Sequence, residues 1–293
     1  MTIMNTKIEN AFAKCEEVTK SHYENFPVGS ILIPKEKRKY VYAIYSFARY
    51  ADDIADSGEL DSGTKILKLN LLDLELDKVE NNNLDEFESE TEYIFLALYK
   101  TLEDLNIPIY ELRNLLIAFM QDSVKDKYET FDELLEYSKH SANPIGHLIL
   151  YLFGYNGMRN KNLFELSDYI CTGLQLINFW QDVARDLEIN RVYIPHEAMK
   201  KFNYSYQLLN DKVENENYIE LIKYLTVKTK EHFEKGSELP SLVKGRLKLE
   251  LKAVYNGGLT ILNKIENLNY RTLSSRPVVT KGDKVKILLK AFF

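Results

Sequence analysis

Hydrophobic residues recur at helical spacing along almost the whole chain, and this periodicity constrains the fold more than any other feature. Apolar positions repeat every three to four residues, which is the spacing of one helix face, and no stretch sustains the apolar/polar alternation of a half-buried strand. The pattern predicts an all-α protein. The 293 residues contain no fixed-period repeat and no break in composition, which predicts a single domain of about ten helices around a central cleft.

Proline, glycine and capping residues indicate where several helices begin and end. Pro34 precedes a long periodic run that stops near Asp56, just before a Ser-Gly pair. Thr130 and Glu133 have the spacing of a capping box, which predicts a helix start. The same kinds of signal predict further helices at about 64–79, 218–235 and 242–268.

Two aspartate pairs lie at i, i+4 spacing inside apolar, helical segments, and each extends into a polar stripe on one helix face. The stripes comprise Tyr45, Arg49, Asp52 and Asp56 in the first segment, and Gln175, Asn178, Asp182 and Asp186 in the second. A solvated face is the ordinary explanation of such a stripe. Here the flanking residues are almost all apolar, so we expect the carboxylates to line an internal cleft. Mg²⁺ prefers one or two carboxylates together with waters and phosphate oxygens, and the sequence therefore suggests a magnesium–diphosphate site.

The amino-acid composition argues against some classes of function and indicates the cellular compartment. With 38 Lys and Arg against 44 Asp and Glu, the net charge is −6, and this offers no basic surplus for binding nucleic acid. Cys15 and Cys171 have no paired spacing and are expected to be buried thiols in a reducing cytoplasm. The first residues lack the features of a secretory signal, and the longest uncharged run fits a buried helix better than a membrane span. We expect a cytoplasmic protein.

The second aspartate segment, Leu-Gln-Leu-Ile-Asn-Phe-Trp-Gln-Asp-Val-Ala-Arg-Asp, and the Arg-Val-Tyr-Ile-Pro that follows it resemble the squalene/phytoene synthase family of head-to-head prenyl transferases. The similarity runs from His22 to about Pro195 and continues more weakly through Arg276. It implies the all-α isoprenoid synthase fold, a prenyl diphosphate substrate and Mg²⁺, with Mn²⁺ as a substitute. The metal ligands it implies are Asp52, Asp56, Asn178, Asp182 and Asp186.

The same resemblance implies further roles in the site. Gln175 and Asn178 are candidates to orient a water molecule, although amides that merely stabilise the helix remain an alternative. Arg49 is expected to contact phosphate or to form a plain ion pair with Asp52, and Asp53 is expected to pair with a neighbouring cation. The implied substrate contacts are His22, Phe26, Tyr45, Arg49, Lys139, Asn143, Arg185 and Tyr193. Among these, the aromatic side chains serve equally well as ordinary core residues.

Three short segments look most like hydroxysqualene synthases of the HpnC type, from bacterial hopanoid pathways: His-Tyr-Glu-Asn-Phe-Pro from His22, Ala-Asp-Asp-Ile-Ala-Asp from Ala51, and His-Ser-Ala-Asn-Pro from His140. An ungapped match places Lys139 where full squalene and dehydrosqualene synthases have a tyrosine implicated in the first condensation. The expected reaction is therefore conversion of presqualene diphosphate to hydroxysqualene, without NADPH.

Other functions remain open to different degrees. A full squalene or dehydrosqualene synthase is the main alternative, and a non-enzymatic family relative acting as an assembly factor is another. A di-iron bundle is disfavoured because none of the five histidines has a glutamate three residues before it.

Partners follow from the chemistry of the expected substrate. A very apolar substrate predicts peripheral contact with the inner face of the membrane, for which Leu288, Leu289, Phe292 and Phe293 are candidates, although these residues could equally belong to the core. The expected reaction also predicts functional coupling to a presqualene diphosphate synthase and to an enzyme that reduces hydroxysqualene.

Overall fold

The computed structural model describes residues 2–21 and 33–292. Within these residues the structure has fifteen α-helices and one short 3-10 helix, and its only β-type pairing is an isolated bridge between Lys127 and Val192. The all-α prediction is confirmed. Contacts between Cα atoms divide the chain into two compact units, Met1–Val124 with His147–Arg159 and Lys125–Gly146 with Asn160–Phe293. The expectation of a single domain stays a prediction.

The first unit contains five complete helices, and its site-bearing helix is α2. The helices are α1 (Thr2–Ser21), α2 (Arg38–Asp56), α3 (Ser62–Glu80), α4 (Glu92–Leu105) and α5 (Tyr110–Asp122), with a 3-10 turn at Lys35–Lys37 leading into α2. One face of α2 is buried by residues four apart, namely Ala43, Phe47, Ala51 and Ala55. Phe47 meets Phe95 of α4 edge to face, with ring centroids 6.1 Å apart. This packing fixes which side of α2 remains available to the polar stripe.

The second unit contains the remaining helices. They are α6 (Phe131–Ser141), α7 (Asn143–Leu152, of which residues from His147 on belong to the first unit), α8 (Lys161–Gln181), α9 (Val183–Glu188), α10 (His196–Lys201), α11 (Tyr206–Asn210), α12 (Glu216–Gly236), α13 (Leu239–Leu242), α14 (Gly245–Asn267) and α15 (Lys281–Phe292). Helix α8 packs against α6, α12 and α14. It is therefore the central helix of this unit.

Close packing around α8 depends on two glycines and one ring. A Cβ atom at Gly173 of α8 would lie 2.4 Å from the ring of Phe233, and one at Gly258 of α14 would lie 2.5 Å from the same ring. The ring of Phe233 is fully buried between them. Trp180, also fully buried, donates its indole N–H to the Thr229 hydroxyl of α12 at 2.8 Å. These contacts hold the end of α8 that leads into the second aspartate pair.

Several predicted helix boundaries are confirmed within two or three residues. Helix α2 ends at Asp56 as expected, and the Thr130 hydroxyl accepts the Glu133 N–H at 3.2 Å. The Glu133 carboxylate completes the turn on the Glu129 N–H rather than on that of Thr130. The one-turn helices α9, α10, α11 and α13 were not predicted, because four to six residues are too few to establish a helical period. The prediction of a buried thiol is confirmed for Cys15, whereas Cys171 is half-buried. Burial raises the pKa of Cys15 to about 11 and that of Cys171 to about 12, which makes both thiols unreactive.

Candidate active site

The first aspartate stripe lies on the side of α2 opposite its buried alanines. Tyr45, Arg49 and Asp52 are half-buried, and Asp56 is exposed. The side chain of Asp52 is 43% exposed to solvent. The stripe is therefore more open to solvent than the sequence analysis expected of carboxylates in an internal cleft.

Arg49 is held by carboxylates of its own helix. Its Nη2 lies 2.5 Å from the Asp53 carboxylate, whereas its Nη1 lies 3.7 Å from that of Asp52. Asp53 thus pairs with a neighbouring cation, as predicted. The Arg49 Nε atom is buried and has no hydrogen-bond partner. The guanidinium therefore keeps one buried N–H donor unsatisfied.

The second stripe continues from the end of α8 into α9. Helix α8 ends at Gln181, and Asp182 adopts φ −105° and ψ 12° before α9 begins. The sequence predicted one uninterrupted helix here, and the structure corrects that prediction. The Asp186 N–H still donates to the Asp182 carbonyl at 2.9 Å, so the two residues remain one turn apart despite the break. Upstream on α8, Gln175 is half-buried and Asn178 is exposed.

Asp182 is held by an arginine from a distant part of the chain. The Arg276 guanidinium donates two hydrogen bonds to the Asp182 carboxylate, one through Nε and one through Nη2 at 3.0 Å. Next to it, the Gln181 amide donates to the Pro277 carbonyl at 2.6 Å. Two neighbouring contacts therefore fasten the 276–277 segment to the helix break. A two-pronged arginine fork of this kind fits carboxylate and phosphate equally well.

The carboxyl group of Asp186 has a strongly raised pKa. Burial, reinforced by the negative charge of Asp182, raises the pKa of Asp186 to about 7, although Arg191 and Arg276 act in the opposite direction. A cation would stabilise a half-buried carboxylate that lies beside a second carboxylate.

The residues of the second pair border two cavities. A cleft of about 230 Å³ is lined by Gln181, Asp182, Ala184, Arg185, Thr272, Leu273, Ser274 and Arg276. Arg185 lies on its rim, is largely exposed, and approaches the Asp182 carboxylate to 3.9 Å. On the other side, Asp186, Arg191 and Tyr193 border a cavity of about 10 Å³, which is about the space that one water molecule needs. The larger cleft therefore offers polar and cationic groups on one wall.

Tyr193 belongs to a buried aromatic cluster next to Asp186. Its ring stacks on Phe179 with a centroid distance of 4.0 Å and an angle of 11° between the ring planes, and it stacks on Tyr128 at 5.5 Å. Tyr137 packs against the same rings. The cluster consists of Tyr128, Tyr137, Phe179 and Tyr193, and all four are buried. Ring faces of this kind can stabilise a nearby carbocation, but at these distances they also form an ordinary core.

Lys139 and Asn143 lie at opposite extremes of exposure. The Lys139 ammonium pairs with Glu136 of the same helix, and its side chain is 61% exposed. His140 also approaches Glu136, with its Nε2 3.6 Å from the carboxylate. Asn143 is buried and its amide oxygen accepts from the Thr172 hydroxyl of α8 at 3.1 Å. Asn143 therefore has a hydrogen-bond partner within the protein, and its predicted contact with substrate stays a prediction.

The structure thus brings together Asp182, Asp186, Arg185 and the aromatic cluster in the second unit, and Arg49, Asp52 and Asp53 in the first. His22 and Phe26, both predicted to bind substrate, lie outside the described residues. The sequence analysis did not select Arg276 or Arg191 as site residues. Each had a signal, because Arg191 opens the Arg-Val-Tyr-Ile-Pro segment and the weaker similarity ended at Arg276.

The carboxylates fit a magnesium ion that is shared with a phosphate ligand, and not one enclosed by protein. Among the described residues, no three His, Cys, Asp or Glu side chains converge closely enough to bind a metal ion. Mg²⁺ commonly takes one or two carboxylates, retains water and completes its coordination with phosphate oxygens. The second pair meets that description, because Asp186, whose pKa is raised, lies one helical turn from Asp182.

Comparisons with known proteins agree on one family. Residues 19–283 match the squalene/phytoene synthase family. The chain is 34% identical to the hydroxysqualene synthase of Sinorhizobium fredii over 233 residues, which covers 79% of this chain and 75% of the relative. It is 33% identical to the hydroxysqualene synthase of Rhodopseudomonas palustris, with the same coverage.

A solved structure agrees with the sequence comparisons. The crystal structure of squalene synthase HpnC from Alicyclobacillus acidocaldarius superposes with a TM-score of 0.82 at 30% identity, covering 90% of this chain and 96% of that one.

Proposed function

The chain belongs to the squalene/phytoene synthase family, and on that premise we propose that it converts presqualene diphosphate to hydroxysqualene. Similarity to two hydroxysqualene synthases at 33% and 34% identity supports this product. The structural observation that carries the proposal is the second aspartate pair, where Arg276 and the half-buried Asp186 create a site suited to a metal and a diphosphate.

The first step requires stabilisation of a departing diphosphate. When bound, Mg²⁺ would neutralise the negative charge that develops as the carbon–oxygen bond breaks. We propose that magnesium ions bind at Asp52 and Asp56 in the first unit and at Asp182 and Asp186 in the second, with Asn178 as an additional oxygen donor. Arg276 would donate to phosphate oxygens through the N–H groups that it does not use for Asp182, because a guanidinium carries five donors.

The second requirement is to keep water from the cyclopropylcarbinyl cation until it has rearranged to the allylic cation. The aromatic cluster beside Asp186 excludes water and presents ring faces. Water then adds to the allylic carbon and loses one proton, which gives the alcohol. Gln175 and Asn178 are our candidates for orienting that water, since both are accessible amides on the α8 stripe.

A full squalene synthase is the second candidate, and one observation favours it. The solved HpnC structure is described as a squalene synthase. That product requires condensation of two farnesyl diphosphates and a hydride donor. The proposed reaction needs neither.

The proposal extends to the cellular location of the enzyme and to the enzymes with which it is coupled. No helix among the described residues is long and apolar enough to cross a membrane. We propose a cytoplasmic enzyme that contacts the inner face of the membrane peripherally, receives presqualene diphosphate from a synthase and passes hydroxysqualene to a reductase.

A substrate comparison tests the proposed function. Purified protein is supplied with Mg²⁺ and either presqualene diphosphate or farnesyl diphosphate, each with and without NADPH, and products are identified by mass spectrometry. We expect hydroxysqualene from presqualene diphosphate alone, unchanged by NADPH. Efficient formation of a C30 product from farnesyl diphosphate would replace the proposal with the full-synthase function.

A further inference from the structure

Helix α15 exposes an apolar stripe. Its members are Val285, Leu288, Leu289 and Phe292, which lie at positions i, i+3, i+4 and i+7, and between 45% and 63% of each residue is exposed. This spacing places all four on one helix face. Scattered apolar residues on a surface need no explanation, whereas a continuous apolar helix face indicates a binding surface.

The opposite face of α15 already has a packing partner. Ile287 and Ala291 are buried, and α15 packs against α14. Asp283 pairs with Lys264 of α14 at 2.9 Å and accepts hydrogen bonds from the Thr280 N–H and hydroxyl at 2.8 and 2.7 Å. The orientation of the helix is therefore fixed by burial, an ion pair and an N-terminal cap. Rotation that would bury the stripe would expose Ile287 and Ala291 and break the ion pair with Lys264.

Lysines flank the exposed stripe on both sides. At about 100° per residue, Lys284 lies on one side of the stripe and Lys286 and Lys290 lie on the other, with Lys281 at its beginning. All four are exposed. Four lysines and one aspartate give α15 a net charge of +3, although the whole chain carries −6. An apolar stripe bordered by lysines is the pattern of a helix that lies in the surface of an anionic membrane.

Helix α3 provides an internal comparison. It exposes Leu67, Leu71 and Leu74 at similar levels, between 52% and 62%. However, its three lysines and four acidic residues give a net charge of −1. Exposed leucines therefore do not distinguish the two helices, but charge does, and only α15 complements an anionic surface.

We propose that α15 docks this protein on anionic lipid, with its apolar stripe inserted at the headgroup level and its lysines on the lipid phosphates. Docking would place the enzyme where an apolar prenyl substrate dissolves. The inference rests on the proposed function for the apolar substrate and the peripheral membrane contact, and it adds the helix that makes this contact. Lipid binding is measured without substrate, so it can fail while the enzymatic assignment stands, and the reverse is also true.

Vesicle sedimentation with the full chain tests this docking surface. Wild-type protein is mixed with vesicles of phosphatidylcholine alone or of phosphatidylcholine with phosphatidylglycerol, at low and high salt. We expect binding to the anionic vesicles that weakens with salt. Leu288→Gln with Leu289→Gln should weaken binding at least about tenfold, and each of Lys286→Gln and Lys290→Gln about fivefold. The matched control, Leu71→Gln with Leu74→Gln on α3, should bind like wild type. Circular dichroism checks that each variant is folded.

Several results would overturn the proposal. These are absence of wild-type binding to anionic vesicles, unchanged binding by the folded α15 leucine variant, and loss of binding only in the α3 control. Sedimentation equilibrium addresses a second copy of the chain as the occupant. A wild-type dimer that becomes monomeric in the α15 leucine variant, with no vesicle binding, would assign the stripe to self-association instead.

Discussion

Replacing Asp186 with asparagine should stabilise the metal-free protein while it abolishes turnover. Burial and the charge of Asp182 raise the pKa of Asp186 from 3.8 to about 7. A carboxyl group with a raised folded-state pKa opposes folding once it is ionised. Its penalty is absent below about pH 4, grows as the pH rises, and is complete above about pH 7. Asparagine has nearly the same shape and carries no charge, so the variant avoids this penalty.

The size of the effect follows from the shift. Roughly three pKa units at about 1.4 kcal/mol each give an upper bound of about 4 kcal/mol. The side chain is only partly buried, and we therefore expect a measured gain of about 1 to 3 kcal/mol near neutral pH. Glu188→Gln, an exposed position on the same short helix, is the matched control and should change stability little.

Denaturant unfolding in EDTA, followed by circular dichroism, measures this effect. The difference in free energy of unfolding between Asp186→Asn and wild type should be near zero at about pH 4 and reach its full value at about pH 8. Magnesium with diphosphate should raise the melting temperature of wild type and should raise that of the variant much less. If Asp186→Asn is no more stable than wild type at about pH 8, or if its advantage does not depend on pH, the carboxylate is not destabilised in the way described.

Three further outcomes are expected. Asp56→Asn and Asp182→Asn should each abolish turnover with the helical content retained, and full activity in EDTA would contradict the metal assignment. Arg276→Gln removes the two hydrogen bonds to Asp182, and the diphosphate concentration needed to raise the melting temperature should increase at least about tenfold, with Arg276→Lys intermediate. An unchanged diphosphate requirement would show that this contact is only structural. Lys139→Ala should lower the rate of product formation from presqualene diphosphate about tenfold if the ammonium holds phosphate. His140→Ala, which also removes a partner of Glu136, is assayed alongside as the control. If Lys139→Ala has the wild-type rate, Lys139 does no more than pair with Glu136 at the surface.

Helix positions were largely predictable because the signals are local. The helix that carries Asp52 and Asp56 was bounded by Pro34 and by the Ser-Gly pair after Asp56, and the structure ends it at Asp56. Likewise, the periodic run predicted at 218–235 is observed as Glu216–Gly236. The helix break at Asp182 was not predictable in the same way, because apolar residues recur at helical spacing through the whole segment. Contacts from another part of the chain accompany that break, and local propensity contains no information about them.

The sequence by itself determined the contacts made within one turn of helix. Arg49 pairs with Asp53 because residues three and four apart share one face of a continuous helix. Asp186 also stays one turn from Asp182, since its N–H still donates to the Asp182 carbonyl across the helix break. Only the tertiary structure decided that Arg276, 94 residues away, holds Asp182, and that Asp186 is partly buried with a raised pKa. Burial and long-range pairing depend on how helices pack against one another, and that packing is a property of the whole chain rather than of any segment.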